Sequence, residues 1–381
     1  MKKLFIIFLI TIILFPSFVK AEPNLTANAT SSVMIEAGSG DIVFEKDKDK
    51  RQAVASLTKM MGLILFFEIY EKGGITLDEK ITVSENAKNM GGTQIYLETG
   101  EKISVRDLIK GITMASANDA MVALAERLAG TEDNFVKMMN DKAKEIGLKN
   151  TNFKNVTGLD EKDHYSTAYD MALIAKELLK HEEILDFTKV YEDYIRQDTS
   201  NKSWIVNTNK LVRFYEGADG LKTGFTDNAG SCIAVTAKRN GLRFIVIALG
   251  YKKSAVRNEE ARALLDYGFN LYKVNLLKKK GEVIGRKKLE KAKKEEINLI
   301  LKEDASVMEK KTDGEKEYKF EVKIDELKYP IKKDDVVGKL IIKSNGRIVK
   351  EIDLTTDIDI ERANMIYLYL KNLKEIILGI I

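Results

Sequence analysis

Apolar and polar residues change their period as the chain proceeds, and each change predicts a different kind of element. Residues 33–37 and 42–44 read as two short strands around Gly38-Ser39-Gly40-Asp41, a hairpin signal. Residues 55–70 follow with Met60, Met61, Leu63, Ile64, Leu65, Phe66 and Phe67, apolar nearly all round, which predicts a central buried helix. Helical spacing continues through 105–113, 119–128, 135–146 and 170–179, the last capped by Ser166-Thr167-Ala168. Met90-Gly91-Gly92-Thr93 and Thr99-Gly100 mark loops with a short strand between them, and residues 155–163 read as a further loop. Apolar strand-length runs then appear at 220–225, 231–237 and 242–249, separated by Thr226-Asp227-Asn228 and Arg239-Asn240-Gly241. A helix over 255–272 packs back. Early strands, a helical middle and late strands closing one sheet make an α+β domain.

Composition shifts near residues 274–280. Residues 276–358 are dense in Lys and Glu, and Tyr318, Phe320, Val322 and Ile324 alternate cleanly with Lys319, Glu321 and Lys323. With further strand-like runs at 297–300, 339–343 and 348–354, this predicts a small all-β domain. The cluster Lys278, Lys279, Lys280, Arg286, Lys287, Lys288 reads as a solvated face. Residues 359–381 change again: Met365, Ile366, Tyr369, Leu370, Leu373, Ile376, Ile377, Ile380 and Ile381 recur at helical spacing, with polar residues opposite. Such a terminal amphipathic helix could dock on its own protein. Its position and very apolar end favour a membrane interface.

The first segment lies outside this pattern. Lys2 and Lys3 precede an apolar stretch over 4–15, and Val19-Lys20-Ala21 offers a cleavage site, so residues 1–21 read as a secretory signal peptide. An uncleaved anchor is the alternative. Removing the segment takes away three lysines and no acid, and the formal charge falls from +4 to +1. A near-neutral mature chain gives no electrostatic case for a nucleic-acid partner. The single cysteine, Cys232, excludes an intramolecular disulfide, and beside Ile233-Ala234-Val235 it reads as buried strand filler.

Candidate chemistry begins at Ser56-Leu57-Thr58-Lys59. A serine hydroxyl is a poor nucleophile until a base takes its proton, and two histidines in the whole chain leave little room for a Ser-His-Asp arrangement. A lysine three residues on lies one helical turn away, on the same face. In a dry pocket, near another cation and at a helix N-terminus, its pKa falls and the neutral amine can act as base. Downstream stand Ser116-Ala117-Asn118 and Lys222-Thr223-Gly224. His164, in a loop, reads as structural, and His181 as a helix-end residue.

Taken together, these motifs resemble those of the serine-type D-alanyl-D-alanine carboxypeptidases, the low-molecular-mass penicillin-binding proteins. The likeness extends to Thr157-Gly158-Leu159, to Asn207-Thr208-Asn209-Lys210-Leu211 and to Asp219-Gly220 before Lys222, and covers nearly the whole mature chain. It implies a serine β-lactamase/transpeptidase-like catalytic domain over 22–275, an antiparallel sheet with a helical cluster. It further implies that Ser56 attacks the bond between two terminal D-alanines of a peptidoglycan stem peptide while Lys59 takes its proton. Ser116 would relay a proton and Asn118 would hold Lys59 or the substrate. Lys222 and Thr223 would receive the substrate carboxylate, Gly224 would admit the substrate against its strand, and the N–H groups of Ser56 and Phe225 would bind the oxyanion. β-Lactams would acylate Ser56. No metal or cofactor is called for. The enzyme would be exported and peripheral on the outer face of the cytoplasmic membrane.

Three rivals share features of this reading. A class A β-lactamase would add a Glu-x-x-Leu-Asn element between Asn118 and Lys222, and none stands there. A DD-endopeptidase or transpeptidase would use the same groups on another substrate or acceptor. A silent wall-binding scaffold would have lost a motif residue, whereas the expected chemical groups are all present.

Overall fold

The computed structural model describes residues 24–289 and 291–377. The leader segment over 1–21 therefore lies outside the described residues, as do Ile380 and Ile381.

The N-terminal hairpin, β1 (Ser31–Glu36) and β2 (Ile42–Lys46), joins three late strands, β3 (Ala218–Thr226), β4 (Gly230–Arg239) and β5 (Leu242–Tyr251), in one sheet. The spatial order is β2-β1-β5-β4-β3, antiparallel throughout. Register pairs such as Ile35 with Ile245 bring the two ends of the domain's sequence together, while Gly224 pairs with Cys232 across the following hairpin. Both faces are covered. Ile35, Leu221, Cys232, Ala234, Ile245 and Ile247 point into the helical cluster, while Met34, Ile233, Val235, Phe244 and Val246 pack on Ala261, Leu264 and Leu265 of a helix over Ser254–Leu271. That double burial is why these strands read as unbroken apolar runs rather than alternating ones.

Helix α1 (Lys59–Glu71) is buried from Lys59 to Phe67 and forms the axis of the cluster. Around it stand α2 (Asn118–Ala129), α3 (Glu132–Glu145) and α4 (Ala168–Leu178). Ser/Thr caps start two of them: Thr131 Oγ1 accepts from Asn134 N, and Thr167 Oγ1 accepts from Asp170 N.

Three local expectations change. No strand lies between Gly92 and Thr99. Ile95 and Leu97 give their amides instead to the carboxylate of Asp119, so the extended segment needs no partner strand. A hairpin over Glu192–Ile195 and Ser203–Val206 appears where none is predicted. The helix beginning at Val105 widens along its length, α-helical to Lys110 and π-helical over Gly111–Ala115.

Beyond Leu271 a two-stranded ribbon, Tyr272–Lys278 with Ala305–Lys310, leads to a second antiparallel sheet. Its strands Val283–Lys288, Glu296–Leu301, Arg347–Thr355, Val336–Ser344 and Lys319–Ile324 stand side by side in that order over a core of their own, including Leu299, Leu340, Ile342 and Leu354. The last described element is a helix over Met365–Ile377, with Met365, Ile366, Tyr369, Leu370, Leu373, Ile376 and Ile377 exposed. Among the described residues no helix is long and apolar enough to cross a membrane.

Candidate active site

Ser56 lies in a 3-10 turn, Ala55–Thr58, that runs into α1. In such a turn residues i and i+3 eclipse, so Ser56 and Lys59 face each other more directly than on an α-helix. Lys59 Nζ lies 2.9 Å from Ser56 Oγ, and it donates to Asn118 Oδ1 at 2.6 Å and to the Thr157 carbonyl at 2.8 Å. Asn118 cannot flip freely, because its amide donates to the Gly91 carbonyl at 2.7 Å. Both partners of Lys59 other than Ser56 only accept. A neutral amine therefore gives them its two N–H groups and keeps its lone pair for the serine hydroxyl.

The electrostatics favour that neutral form. Lys59 is fully buried, and burial holds its pKa well below the usual lysine value, with repulsion from Lys222 adding and Asp119 opposing. Burial and the second lysine, rather than the helix terminus, are the main causes. Lys222 sits on β3, buried, and donates to the Thr223 carbonyl at 2.8 Å. Desolvation, followed by the charge of Arg257, lowers it to about 7.

Strand β3 is the edge of the sheet, and it passes directly against the turn that carries Ser56. A Cβ on Gly224 would lie 2.7 Å from Ser56 N and 2.9 Å from the Ala55 Cβ, so only glycine lets the strand come this close. Next to it Phe225 is 63% exposed. Thr223 donates its hydroxyl proton to Thr208 Oγ1 at 2.7 Å. Ser116 closes the second wall in a left-handed conformation, φ 67°, at the end of the π-helical turn. Among the described residues its hydroxyl makes no hydrogen bond to Lys59 or Lys222.

The loop over 155–163 contributes more than its sequence suggests. Asn155 Oδ1 accepts from the amides of Thr157 and Gly158, which aims the Thr157 carbonyl at Lys59. Asp160 accepts from Thr226 Oγ1 at 2.6 Å and from Asn228 N at 3.3 Å, tying this loop to the end of β3. His164 Nδ1 accepts from Lys154 N, so its Nε2 carries the proton and donates to Thr58 Oγ1 at 2.9 Å. Burial lowers its pKa to about 4. His181 stacks on Phe67 and bonds Glu71, away from the chemistry. Burial raises the Cys232 thiol to about 11.

Sequence reasoning missed Arg257 and Asp160, and the roles of Thr208 and Asp119. Arg257, buried behind the sheet, donates to the Cys232 carbonyl and to Ser231 Oγ. On the page of the sequence it is one arginine in an ordinary helix. The carbonyls of Gly91 and Thr157 carry no residue signature at all.

Comparison with known proteins follows the same two-part division. Residues 18–253 match the family described as D-alanyl-D-alanine carboxypeptidase, and residues 272–362 match the C-terminal domain of penicillin-binding protein 5. D-alanyl-D-alanine carboxypeptidase DacF of Bacillus subtilis is 43% identical over 348 residues, covering 91% of this chain and 90% of the relative. DacC of Escherichia coli is 31% identical over 91% of this chain and 89% of its own length. Among solved structures, penicillin binding protein 5 of Haemophilus influenzae superposes with a TM-score of 0.69 at 29% identity, over 88% of this chain and 98% of that one. Penicillin-binding protein D2 of Listeria monocytogenes, in its ampicillin-bound form, matches 64% of this chain and 98% of its own, with a TM-score of 0.58 at 33% identity.

Proposed function

The chain belongs to the D-alanyl-D-alanine carboxypeptidase family, and from that premise we propose that it removes the terminal D-alanine of peptidoglycan stem pentapeptides through an acyl-enzyme on Ser56. One observation carries the reading: Lys59 Nζ stands 2.9 Å from Ser56 Oγ while two obligate acceptors occupy its N–H groups.

In the reaction so read, Ser56 Oγ attacks the carbonyl carbon of the penultimate D-alanine and its proton passes to Lys59. The N–H groups of Ser56 and Phe225 receive the oxyanion, helped by the close approach that Gly224 allows. Collapse breaks the C–N bond, and the leaving amine takes a proton relayed through Ser116. Lys222 and Thr223 hold the carboxylate of the departing D-alanine, for which Thr223 gives up its bond to Thr208. Water then hydrolyses the ester, with Lys59 again as base. Asn118 keeps Lys59 oriented throughout. β-Lactams acylate the same serine, a reading supported by the ampicillin and cefotaxime forms of the Listeria relative.

The leader over 1–21 exports the chain, and the Met365–Ile377 helix lays its exposed apolar residues on the outer face of the cytoplasmic membrane. Purified protein incubated with pentapeptide should release D-alanine, and fluorescent penicillin should label wild type but not Ser56→Ala. Label retained on Ser56→Ala overturns the acyl-enzyme. Cleavage of a cross-linked dimer without release from pentapeptide would instead make the protein an endopeptidase.

A further inference from the structure

Tyr96 is held in a costly backbone conformation with its ring in solvent, a short stretch of chain away from the Thr93 carbonyl that Asn118 binds. Its φ is 56°, the left-handed region, and the residue is 78% exposed. A large aromatic residue adopts that region only when its surroundings impose it. Here they do. On one side Asp119 accepts the amides of Ile95 and Leu97. On the other the buried guanidinium of Arg196, itself left-handed at φ 55° and paired with Glu101, donates to the carbonyls of Ile95 at 3.1 Å and Tyr96 at 3.3 Å. Ile95 and Leu97 are buried, so the alternation turns Tyr96, between them, outward.

None of this rewards the ring itself. Among the described residues the Tyr96 side chain makes no hydrogen bond and no ring contact. Glycine would meet the backbone requirement without strain, as Gly92 and Gly100 do in the same loop. The position is also adjacent to the chemistry. Asp119 follows Asn118, whose own amide donates to the Thr93 carbonyl at 2.7 Å. Tyr96 stands three positions after Thr93, a span of at most about 11 Å.

We propose that Tyr96 is a substrate-contacting residue whose ring binds the part of the stem peptide that precedes the D-alanyl-D-alanine terminus. The inference rests on the function proposed above. Lys59 and Lys222 are buried at the reaction centre, which leaves that centre to the terminal dipeptide. The remaining stem must run out over the rim. Its amide planes and side-chain methylenes suit an exposed aromatic face that costs little conformational entropy to use.

The test compares acetyl-D-alanyl-D-alanine, which ends at the reacting dipeptide, with the full pentapeptide. Tyr96→Gly should raise the pentapeptide KM about tenfold with kcat kept, and leave both constants for the short substrate within about twofold. The melting temperature should not fall, because glycine relieves the strain, whereas a merely structural tyrosine would lower it. Tyr96→Phe should behave as wild type. Equal losses on both substrates, or none on either, overturn the inference. A wild type that releases D-alanine from neither substrate refutes the function, and this inference with it.

Discussion

Gly158 packs beneath Ala55 so closely that a Cβ at position 158 would fall 1.9 Å from the Ala55 carbonyl oxygen. The same residue has φ 83°, so both space and backbone demand glycine there. Gly158→Ala should destabilise the protein by about 3 kcal/mol or more. Because the strained contact is with the nucleophile turn, acylation by penicillin should slow even where the variant still folds. Calorimetry and stopped-flow labelling check the two effects. A variant with wild-type melting and acylation would refute the packing.

The two buried lysines predict how the rate depends on pH. Lys59 must be neutral to accept a proton, so kcat/KM should rise as pH passes its depressed pKa. Lys222 must be cationic to hold a carboxylate, and with its pKa near 7 the rate should fall above that value. Lys222→Arg should shift the falling limb to higher pH. Lys59→Ala should slow acylation about 10²- to 10⁴-fold. A falling limb unmoved by Lys222→Arg would assign it to another group.

Stability follows the same groups with its own sign. Lys222 has a folded pKa of about 7 against 10.5 for the free side chain, so the unfolded chain binds more protons between those values and stability rises with pH there. The cost of keeping the lysine charged is fully present below 7 and amounts to about 5 kcal/mol. Lys222→Met should therefore raise the melting temperature more at pH 6 than at pH 9 while abolishing activity. An equal shift at both pH values would refute it.

His164 gives an acid-side counterpart. Its folded pKa of about 4 lies below the free value of 6.5, so its neutral form favours the folded state above pH 6.5, and that contribution is lost as pH falls towards 4. His164→Gln should cost about 1–2 kcal/mol at neutral pH through the Thr58 bond, and should flatten the stability loss between pH 6.5 and 4. Ser56 acylation should persist. Denaturant titrations across that range test it.

Deleting residues 361–381 should move the protein from the membrane fraction to the supernatant without reducing penicillin labelling. Unchanged membrane association would reject the terminal helix as anchor.

Much of this site was legible because its chemistry needs particular side chains. Ser56, Lys59, Asn118 and Lys222 announce themselves as residue types at fixed spacing. What stayed hidden depends on backbone. The Thr157 and Gly91 carbonyls could belong to any residue, and the 3-10 turn before α1 has no marker distinct from a helix start. The segment 94–98 looked like a strand because it is extended and alternating. Only the fold brings Asp119 to its amides in place of a neighbouring strand. Arg257 acts through a sheet from a helix more than thirty residues later, a relation that no local pattern encodes.

The edge position of β3 has one more consequence. A strand with one side unpaired offers a row of main-chain donors and acceptors, and any extended chain of suitable hand can lie along it. In this enzyme the nucleophile turn stands at that border, so a visiting backbone meets Ser56 as it pairs. The unpaired edge that other proteins must hide from their neighbours is here a template whose guests are cut.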